Sequence, residues 1–170
     1  IKNVEKLKNI KITVTDISEG MVNDARRNIG NGMFDYGVAD CMNLPFDDNS
    51  FDCVIANHVI FYCEEPGKAF KEIKRVLKPG GKAVFSTYGS HHMQEIAQLV
   101  NQFEKRIVLS ADVLYEKFGL DNGERLLKKY FNKIDKRLYD DYLLVDVAEP
   151  IIEYILSCHG NQNHYLLDRY

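Results

Sequence analysis

The sequence predicts an α/β fold, in which helices flank a mostly parallel β-sheet. Runs rich in β-branched residues alternate with helix-like segments through the first half of the 170-residue chain. One run, residues 52–56, is nearly continuous in apolar side chains, which is typical of a strand buried on both faces of a parallel sheet. Turns rich in glycine, asparagine and aspartate separate the segments. Together these features indicate strands joined by right-handed helical crossovers.

The first half is predicted to contain four strands. Alternating or β-branched patterns place them at residues 11–15, 34–39, 52–56 and 82–87. Ser18 is a suitable N-cap for a helix that reaches Asn28, and a helix with one apolar face is predicted at 65–77. The end of an earlier helix is predicted at 4–10, and turns are predicted at 30–32, 47–50 and 78–81.

The second half is predicted to be mainly helical. Apolar spacing and capping residues predict helices at 93–103, 110–118, 121–131 and 151–158. One strand is predicted at 142–145, in a Tyr-Leu-Leu-Val run. The chain has no internal repeat and no low-complexity linker, so it is predicted to be one domain.

Composition argues against several classes of function. The net charge of −3 speaks against a nucleic-acid partner, which needs a basic surface. No run of about 18 apolar residues is present, and no apolar core of a signal peptide opens the chain, so no membrane partner is expected. Cys41, Cys53, Cys63 and Cys158 form no Cys-x-x-Cys pair, so we predict reduced thiols, no metal site and a cytoplasmic location.

Two aspartates, Asp16 and Asp40, come directly after the first two predicted strands. Because the carboxyl ends of parallel strands meet at one edge of a sheet, we expect both acids in one cleft. Asp16 could accept hydrogen bonds from ribose hydroxyls, and Asp40 from the exocyclic amine of adenine, with the N–H of Cys41 or Met42 on a ring nitrogen. The alternatives are an interaction with a helix dipole for Asp16 and an Asx turn for Asp40.

The third predicted strand ends in Asn57 and His58, which we expect to face the same cleft. His58 is a candidate general base or substrate contact, and a hydrogen-bonded loop histidine is the alternative. Tyr62 and Tyr88 are candidates for the lining of a substrate pocket, with simple packing as the alternative.

Three segments together resemble a known family. They read ITVTDISEGMVNDARRN, VADCMNLPFDDNSFDCVIANHVIFY and AFKEIKRVLKPGGKAVFST. In order and spacing they are similar to the middle of class I S-adenosylmethionine-dependent methyltransferases, most closely to the group called type 11. The Leu-Pro-Phe turn, the Phe-Asp pair and the Leu-Lys-Pro-Gly-Gly turn are specific in combination. Residues 118–157 are similar to the C-terminal part of such proteins.

The resemblance implies a Rossmann-like fold and S-adenosyl-L-methionine as the cofactor. The adenosine-side residues that it implies are Asp16, Ile17, Met21, Asp40, Cys41 and Met42. Of these, Asp16 would bind the ribose hydroxyls and Asp40 the adenine amine. Ile17 and Met21 would flank the adenine ring, with Cys41 and Met42 beside Asp40.

The resemblance also implies that Asn57 lies near the methionine end of the cofactor. His58 and Tyr62 are then candidates for the substrate side. No catalytic residue is assigned, because methyl transfer from a sulfonium is an in-line displacement that needs positioning more than acid–base groups.

The family's first strand and its glycine-rich loop have no counterpart in this sequence, and its last strand has none after Gly160. We therefore expect an incomplete methyltransferase fold. The chain is predicted to be a single truncated domain, residues 1–170, with a cofactor-binding part at 1–88, a helical lid and substrate part at 89–133, and a C-terminal strand and helix at 134–170.

In the family, the missing first strand lies between the strands predicted here at 11–15 and 52–56. Their open edges are expected to pair with each other or with a second copy of the chain, because unpaired edges promote association. We therefore expect a homo-oligomer. We also expect weak cofactor binding and a weak or inactive enzyme, because the glycine loop contacts the methionine part.

The predicted function is methyl transfer from S-adenosylmethionine to a small-molecule acceptor that the sequence does not identify. A non-catalytic interaction or assembly domain that keeps the fold is one alternative. Half of a nicotinamide-dependent oxidoreductase is the other. It would share an acid at the end of the second strand but would not account for Asp40 followed by the Leu-Pro-Phe turn.

Overall fold

The computed structural model describes residues 10–30, 34–107, 113–139 and 141–159. The chain forms two compact units, which we call the first unit (Ile1–Val54 with Gly67–Ala83) and the second unit (Ile55–Pro66 with Val84–Tyr170). The predicted α/β class is confirmed, since strands and helices alternate and the strands pair in parallel. The three-part division at residues 88 and 133 stays a prediction.

The first unit opens with one strand–helix–strand crossover. Its elements are β1 (Ile12–Asp16), α1 (Glu19–Ile29) and β2 (Phe34–Val38). The two strands are parallel, with Ile12 opposite Phe34 and Asp16 opposite Val38. The predicted strands and helix are therefore present, with β2 ending one residue earlier than expected.

Local signals in the sequence explain both ends of α1. The Ser18 hydroxyl accepts the backbone N–H of Met21 at 3.4 Å, which is the predicted N-cap. Gly30 ends the helix with a φ of 92°, which glycine adopts without strain, and its N–H bonds to the carbonyl of Arg26 at 3.0 Å. The helix end predicted at 4–10 lies, apart from Ile10, outside the described residues.

A second crossover consists of β3 (Phe51–Asn57), α2 (Pro66–Val76) and β4 (Leu77–Ser86). The Ser50 N–H donates to the Val76 carbonyl at 2.8 Å, and the His58 N–H donates to the Ser86 carbonyl at 3.3 Å. Because both partners advance together along the chain, β3 and β4 run in the same direction.

The described strands form two separate two-stranded sheets, β1 with β2 and β3 with β4. The open edges of β1 and β3 were expected to pair with each other or with a second copy of the chain; among the described residues the first of these pairings is absent, and the second stays a prediction. Each of these strands hydrogen-bonds instead to the strand that follows its own crossover helix.

Helix α2 buries one face, as its sequence predicts. Ala69, Phe70, Ile73 and Val76 follow the three- and four-residue spacing of a single face, and all are buried. Full burial of a large apolar side chain stabilises a fold by roughly 1.5–3 kcal/mol. This face therefore accounts for much of the core of the first unit.

Strand β4 begins at Leu77, five residues before the predicted start. Residues 78–81 were predicted to be a turn because they include Lys-Pro-Gly-Gly. Instead they already run beside β3, where Lys78 pairs with Asp52 at 2.8 Å. A Cβ on Gly81 would lie 3.2 Å from the Asp52 carbonyl oxygen, so the glycine permits this close approach.

Beyond β4, the described part of the second unit consists of helices joined by irregular segments. Its helices are α3 (Gln94–Phe103), α4 (Leu114–Lys117), α5 (Gly123–Leu127) and α6 (Glu149–His159). α4 and α5 are shorter than predicted, and residues 110–112 lie outside the described residues. The Asn122 side chain explains the break, because it accepts the Gly119 N–H at 2.8 Å and donates to the Glu116 carbonyl at 2.6 Å. These bonds replace continued helix between α4 and α5.

The strand predicted at 142–145 does not form. Tyr142, Leu143 and Leu144 are irregular and highly exposed, with Leu144 87% exposed. The residues have strand-like composition, but among the described residues no neighbouring strand supplies the backbone hydrogen bonds that a strand requires.

The core of the second unit includes a contact between α3 and α6. Val100 and Ile107 are buried there, with Ile96, Ala97 and Ile155 packed against them. Among the described residues, none of the helices combines the length and apolar character that crossing a membrane requires.

Candidate functional site

Asp16 ends β1, and its side chain bonds to the start of α1. Its Oδ1 accepts the backbone N–H of Ser18, the N-cap residue, at 2.8 Å. The carboxylate is therefore held near the positive end of the helix dipole, which is the structural role that the sequence offered as an alternative. In the part of the chain that the structure describes, Oδ2 has no hydrogen-bond partner, so this oxygen is available to a ligand.

Asp40 lies two residues beyond β2 and forms an Asx turn. Its Oδ1 accepts the Met42 N–H at 2.8 Å, and its carbonyl accepts the Asn43 N–H at 2.9 Å. The Met42 N–H, which the sequence offered to a ring nitrogen of adenine, is therefore already bonded within the turn. Asp40 Oδ2, like that of Asp16, has no partner among the described residues.

The register of the β1–β2 sheet brings these acids to one edge. Asp16 pairs with Val38 across the sheet, and the Ala39 N–H donates to the Asp16 carbonyl at 3.0 Å. Asp40 is the next residue along the chain. Both carboxylates therefore lie at the carboxyl edge of the same sheet, as the order of the strands predicts.

Two large apolar side chains beside Asp16 are exposed. Ile17 is 69% exposed, and Met21, on the first turn of α1, is 56% exposed. Cys41 and Met42, next to Asp40, are half-buried. Exposed apolar side chains at a strand end offer a surface that a flat, weakly polar ring can cover. The residues around Asp16 and Asp40 thus combine two carboxylates with an exposed apolar surface at one edge of the sheet.

Arg75 of α2 fixes the segment that follows Asp40. Its Nη1 donates to the Phe46 carbonyl at 2.7 Å and to Asp48 at 2.8 Å. Its Nη2 donates to the Leu44 carbonyl at 3.0 Å and to Glu72 at 2.7 Å. Its Nε donates to Glu72 at 2.9 Å. We call these five residues the Arg75 network, which holds the main chain of the Leu-Pro-Phe turn at the carbonyls of Leu44 and Phe46.

Glu72 joins this network to the chain directly after the Asp40 turn. Its Oε2 accepts the Leu44 N–H at 2.9 Å, and its side chain is only 20% exposed. The hydrogen bonds from Arg75 hold the pKa of the Glu72 carboxyl below its usual value, against the opposing effect of burial, and the Leu44 N–H adds to this. Glu72 is thus an ionised anchor for residue 44.

In the second unit, Asn57 ends β3 and His58 follows it, and both bond to Ser86 at the end of β4. Ser86 Oγ donates to Asn57 Oδ1 at 2.6 Å and accepts the His58 N–H at 3.0 Å. His58 has a φ of 51°, in the left-handed region that few residues other than glycine and asparagine adopt without strain. The His58 N–H donates to the hydroxyl and to the carbonyl of Ser86, and these bonds help to hold the residue there.

The His58 ring belongs to a group that we call the ring cluster: His58, Phe61, Tyr88 and His92. His58 and Tyr88 are stacked with centroids 6.4 Å apart, and Tyr88 lies 4.6 Å from His92. Phe61 contacts the rings of His58 at 6.0 Å and Tyr88 at 5.0 Å. Burial, and then the positive charge of His58, lower the pKa of His92. Tyr62, the other residue predicted on the substrate side, is exposed and its ring contacts Phe61.

No role was predicted from the sequence for Glu72, Arg75, Ser86 or His92. Their partners are far away in the sequence, as for Leu44 and Arg75 or Asn57 and Ser86. A polar residue at the end of a strand was the one available signal for Ser86.

Comparisons with known proteins show which family the first half of the chain resembles. The family model described as "Methyltransferase domain" matches residues 2–85. The ubiquinone/menaquinone biosynthesis C-methyltransferase UbiE of Haemophilus ducreyi is 33% identical over 102 residues, which cover 58% of this chain and 39% of that protein. The malonyl-(acyl-carrier protein) O-methyltransferase of a Marinomonas species is 44% identical over 91 residues, which cover 54% of this chain and 27% of that protein. The chain thus spans well under half the length of these curated relatives.

A solved structure is similar in both fold and sequence. It is the crystal structure of a SAM-dependent methyltransferase of Thermotoga maritima, described as a possible histamine N-methyltransferase. The superposition has a TM-score of 0.51 and 27% identity, and it covers 74% of this chain and 55% of that chain.

Proposed function

This chain belongs to the class I S-adenosylmethionine-dependent methyltransferases through residues 2–85, and from that premise we propose that it binds S-adenosylmethionine and takes part in methyl transfer to a small-molecule acceptor. The observation that carries the proposal is the pair Asp16 and Asp40. Both lie at one edge of the β1–β2 sheet, each with one carboxylate oxygen bonded locally and the other open among the described residues.

In this proposal the first unit holds the adenosine. Asp16 Oδ2 accepts hydrogen bonds from the ribose hydroxyls, and Asp40 Oδ2 accepts one from the adenine amine. The exposed side chains of Ile17 and Met21 cover the adenine ring, with Cys41 and Met42 beside Asp40. The local bonds of both acids support this assignment, because they fix each carboxylate before a ligand arrives.

The roles of Asn57, His58 and Tyr62 are proposed from the family resemblance together with their chemistry. Asn57 contacts the methionine end of the cofactor. His58 and the exposed Tyr62 contact the acceptor. The bound cofactor supplies an electrophilic methyl group on a sulfonium, and the residues of this chain orient it.

The acceptor is proposed only as a small molecule. The relatives named above are described by C-methylation in quinone biosynthesis, by O-methylation of a malonyl thioester carrier, and by a possible histamine N-methylation. Because these acceptors differ in both size and atom, none of them is transferred to this chain.

Calorimetric titration with S-adenosylhomocysteine tests the cofactor assignment. Asp16→Ala and Asp40→Ala should each weaken binding by about tenfold or more, because each removes a charge-assisted hydrogen bond. Asp35→Ala is the matched control, since Asp35 is an exposed aspartate of the same sheet that pairs with Lys11. Binding that is absent in the unmutated chain, or unchanged in both variants, would contradict the proposal.

We also propose that two copies of the chain associate through open strand edges. In the second unit, the apolar side chains of Ile55 on β3 and Val84 on β4 are exposed, Ile55 by 69%. The molar mass measured by light scattering should be twice that of one chain, and the Ile55→Lys variant should have the molar mass of one chain. A single-chain mass for the unmutated protein would overturn this part. A cytoplasmic location is proposed from the cysteine pattern alone.

A further inference from the structure

We propose that Glu72, held in place by Arg75, is a positioning residue for Asp40 and thereby sets the selectivity of the site for adenine over a 6-oxopurine. This inference rests on the proposed function, because it requires Asp40 to read the purine. It goes beyond that function by assigning a role to two residues of α2 that are separate from the residues proposed to bind the cofactor.

The first step is the anchoring of the Asp40 turn at both ends. On one side, Asp40 is joined to β2 through Ala39, whose N–H is bonded to the Asp16 carbonyl at 3.0 Å. On the other side, the turn closes with the Asn43 N–H on the Asp40 carbonyl, at 2.9 Å. The next residue, Leu44, donates its N–H to Glu72 at 2.9 Å. Glu72 therefore holds the far end of the turn that carries the Asp40 carboxylate.

The second step is the rigidity of the anchor itself. Both oxygens of Glu72 are bonded: Oε1 accepts from Arg75 Nε, and Oε2 accepts from Arg75 Nη2 and from Leu44. This two-point pairing fixes the orientation of the carboxylate. Arg75 also bonds to the Leu44 carbonyl at 3.0 Å, so both backbone groups of residue 44 are held from α2.

The third step concerns what a fixed carboxylate distinguishes. Adenine offers a donor at its exocyclic amine, which Asp40 Oδ2 can accept. A 6-oxopurine offers a carbonyl at the same position, which repels the carboxylate and leaves it unpaired. A 6-oxopurine also has a donor at its neighbouring N1–H, so this discrimination requires that the carboxylate oxygen cannot move across to N1. A substitution that frees the Asp40 turn should therefore reduce the selectivity for adenine over a 6-oxopurine by more than it weakens the binding of the ribose by Asp16.

The test compares S-adenosylhomocysteine with S-inosylhomocysteine, which differ in the C6 substituent, an amine or a carbonyl, and in N1, an acceptor in the first and an N–H donor in the second. Calorimetry gives the ratio of their dissociation constants for each variant. The unmutated chain should prefer the adenine ligand by about tenfold or more, and Asp40→Ala should bring the ratio close to one. Glu72→Ala should lower the ratio at least about threefold, and Arg75→Lys should lower it in the same direction, because lysine cannot make the two-point pairing.

Asp52→Ala is the matched control, because it removes an ion pair of similar length, with Lys78, from the same unit. Its ratio should equal that of the unmutated chain. If Glu72→Ala does not fold, Glu72→Gln and Arg75→Lys carry the test. Equal weakening of both ligands with an unchanged ratio would overturn the inference and reduce Glu72 to a stabilising role.

Two further outcomes separate this inference from the proposed function. If the unmutated chain binds neither ligand, the proposed function fails and the inference fails with it. If the chain binds both ligands equally and Asp40→Ala changes nothing, cofactor binding stands, but Asp40 does not read the purine and the inference is overturned.

Discussion

The hydroxyl of Ser86 donates to Asn57 Oδ1 at 2.6 Å, and this bond determines which half of the Asn57 amide is offered to a ligand. Ser86 Oγ also accepts the His58 N–H at 3.0 Å, so its single proton is directed to Asn57. The Nδ2 group of Asn57 is then a donor of hydrogen bonds. A donor suits a carboxylate, such as that of the methionine end of the proposed cofactor, better than it suits an ammonium group.

Ser86→Ala should lower the free energy of unfolding by about 1–2 kcal/mol, because it removes a hydrogen bond and leaves the His58 N–H with a weaker partner. Chemical denaturation measures this change. Ser86→Thr keeps the hydroxyl and should recover most of the loss. Thr87→Val is a useful comparison, since the Thr87 hydroxyl bonds elsewhere, to the Phe118 carbonyl at 2.7 Å. Equal stability of Ser86→Ala and the unmutated chain would contradict this account of Ser86.

Glu72 should make the stability of the fold depend on pH in the acid range. Its pKa in the folded chain is lowered from 4.5, mainly by its hydrogen bonds with Arg75, so the folded state binds the proton less readily than the unfolded state. The stabilisation is therefore complete above the unfolded pKa and is lost as pH falls through the lower folded pKa. Denaturation midpoints measured above and below pH 4.5 should differ less for Glu72→Gln than for the unmutated chain.

Glu124→Gln provides the control for this pH dependence. The pKa of Glu124 is also lowered, by the hydrogen bond from Lys128, but this pair is exposed on both sides. Solvent and salt screen such a pair, so the variant should change the acid dependence little. A larger effect for Glu124→Gln than for Glu72→Gln would contradict the role given to the Arg75 network.

His92 should titrate below the ordinary histidine value of 6.5, because it is partly buried in the ring cluster and near the charge of His58. His58→Gln should raise the pKa of His92 without restoring it fully, since the burial remains. NMR titration of the His92 ring measures the shift, and His91→Gln should leave it unchanged. Because the unfolded chain binds this proton more readily, stability should fall as pH decreases below about 6.5.

The left-handed backbone at His58 predicts an order among substitutions. His58→Asn and His58→Val both remove the ring contacts with Tyr88 and Phe61. Asparagine tolerates a φ of 51°, whereas the β-branched valine does not. The valine variant should therefore be less stable than the asparagine variant by about 1–2 kcal/mol in chemical denaturation. The same stability in both variants would indicate that the backbone relaxes at this position.

Local patterns predicted the strands and helices from β1 to α2. Ser18 marks the start of α1 and Gly30 its end, and the apolar spacing within α2 matches its buried face. The prediction failed where distant contacts decide the structure. The sequence of the Pro-Gly-Gly segment predicts a turn, yet the segment belongs to β4 and lies beside β3, where Lys78 pairs with Asp52. The exposed run at 142–145 has a strand-like composition but no neighbouring strand among the described residues.

The candidate site was predictable to a similar extent. The order of strands placed Asp16 and Asp40 at one edge, because that placement follows from parallel pairing alone. The bond from the Met42 N–H to Asp40 is the Asx turn that the sequence offered as the alternative, but the sequence did not show that this turn takes up the donor proposed for a ring nitrogen. The bonds from Arg75 to residues 44–48 connect parts of the chain about thirty positions apart, and no periodic pattern encodes such contacts.

Arg75 grips the main chain at Leu44 and Phe46, through carbonyl oxygens that every amino acid possesses. The hydrogen bond to the carbonyl of residue 44 therefore does not depend on the side chain at that position. Substitutions there can accumulate, and the loop can acquire new surface chemistry, while its course stays the same. Arg75 itself cannot be replaced as readily, because a lysine has a single ammonium group and reaches fewer of these oxygens than the guanidinium does. In this region, amino-acid substitutions would be most restricted at position 75 and less restricted in the loop.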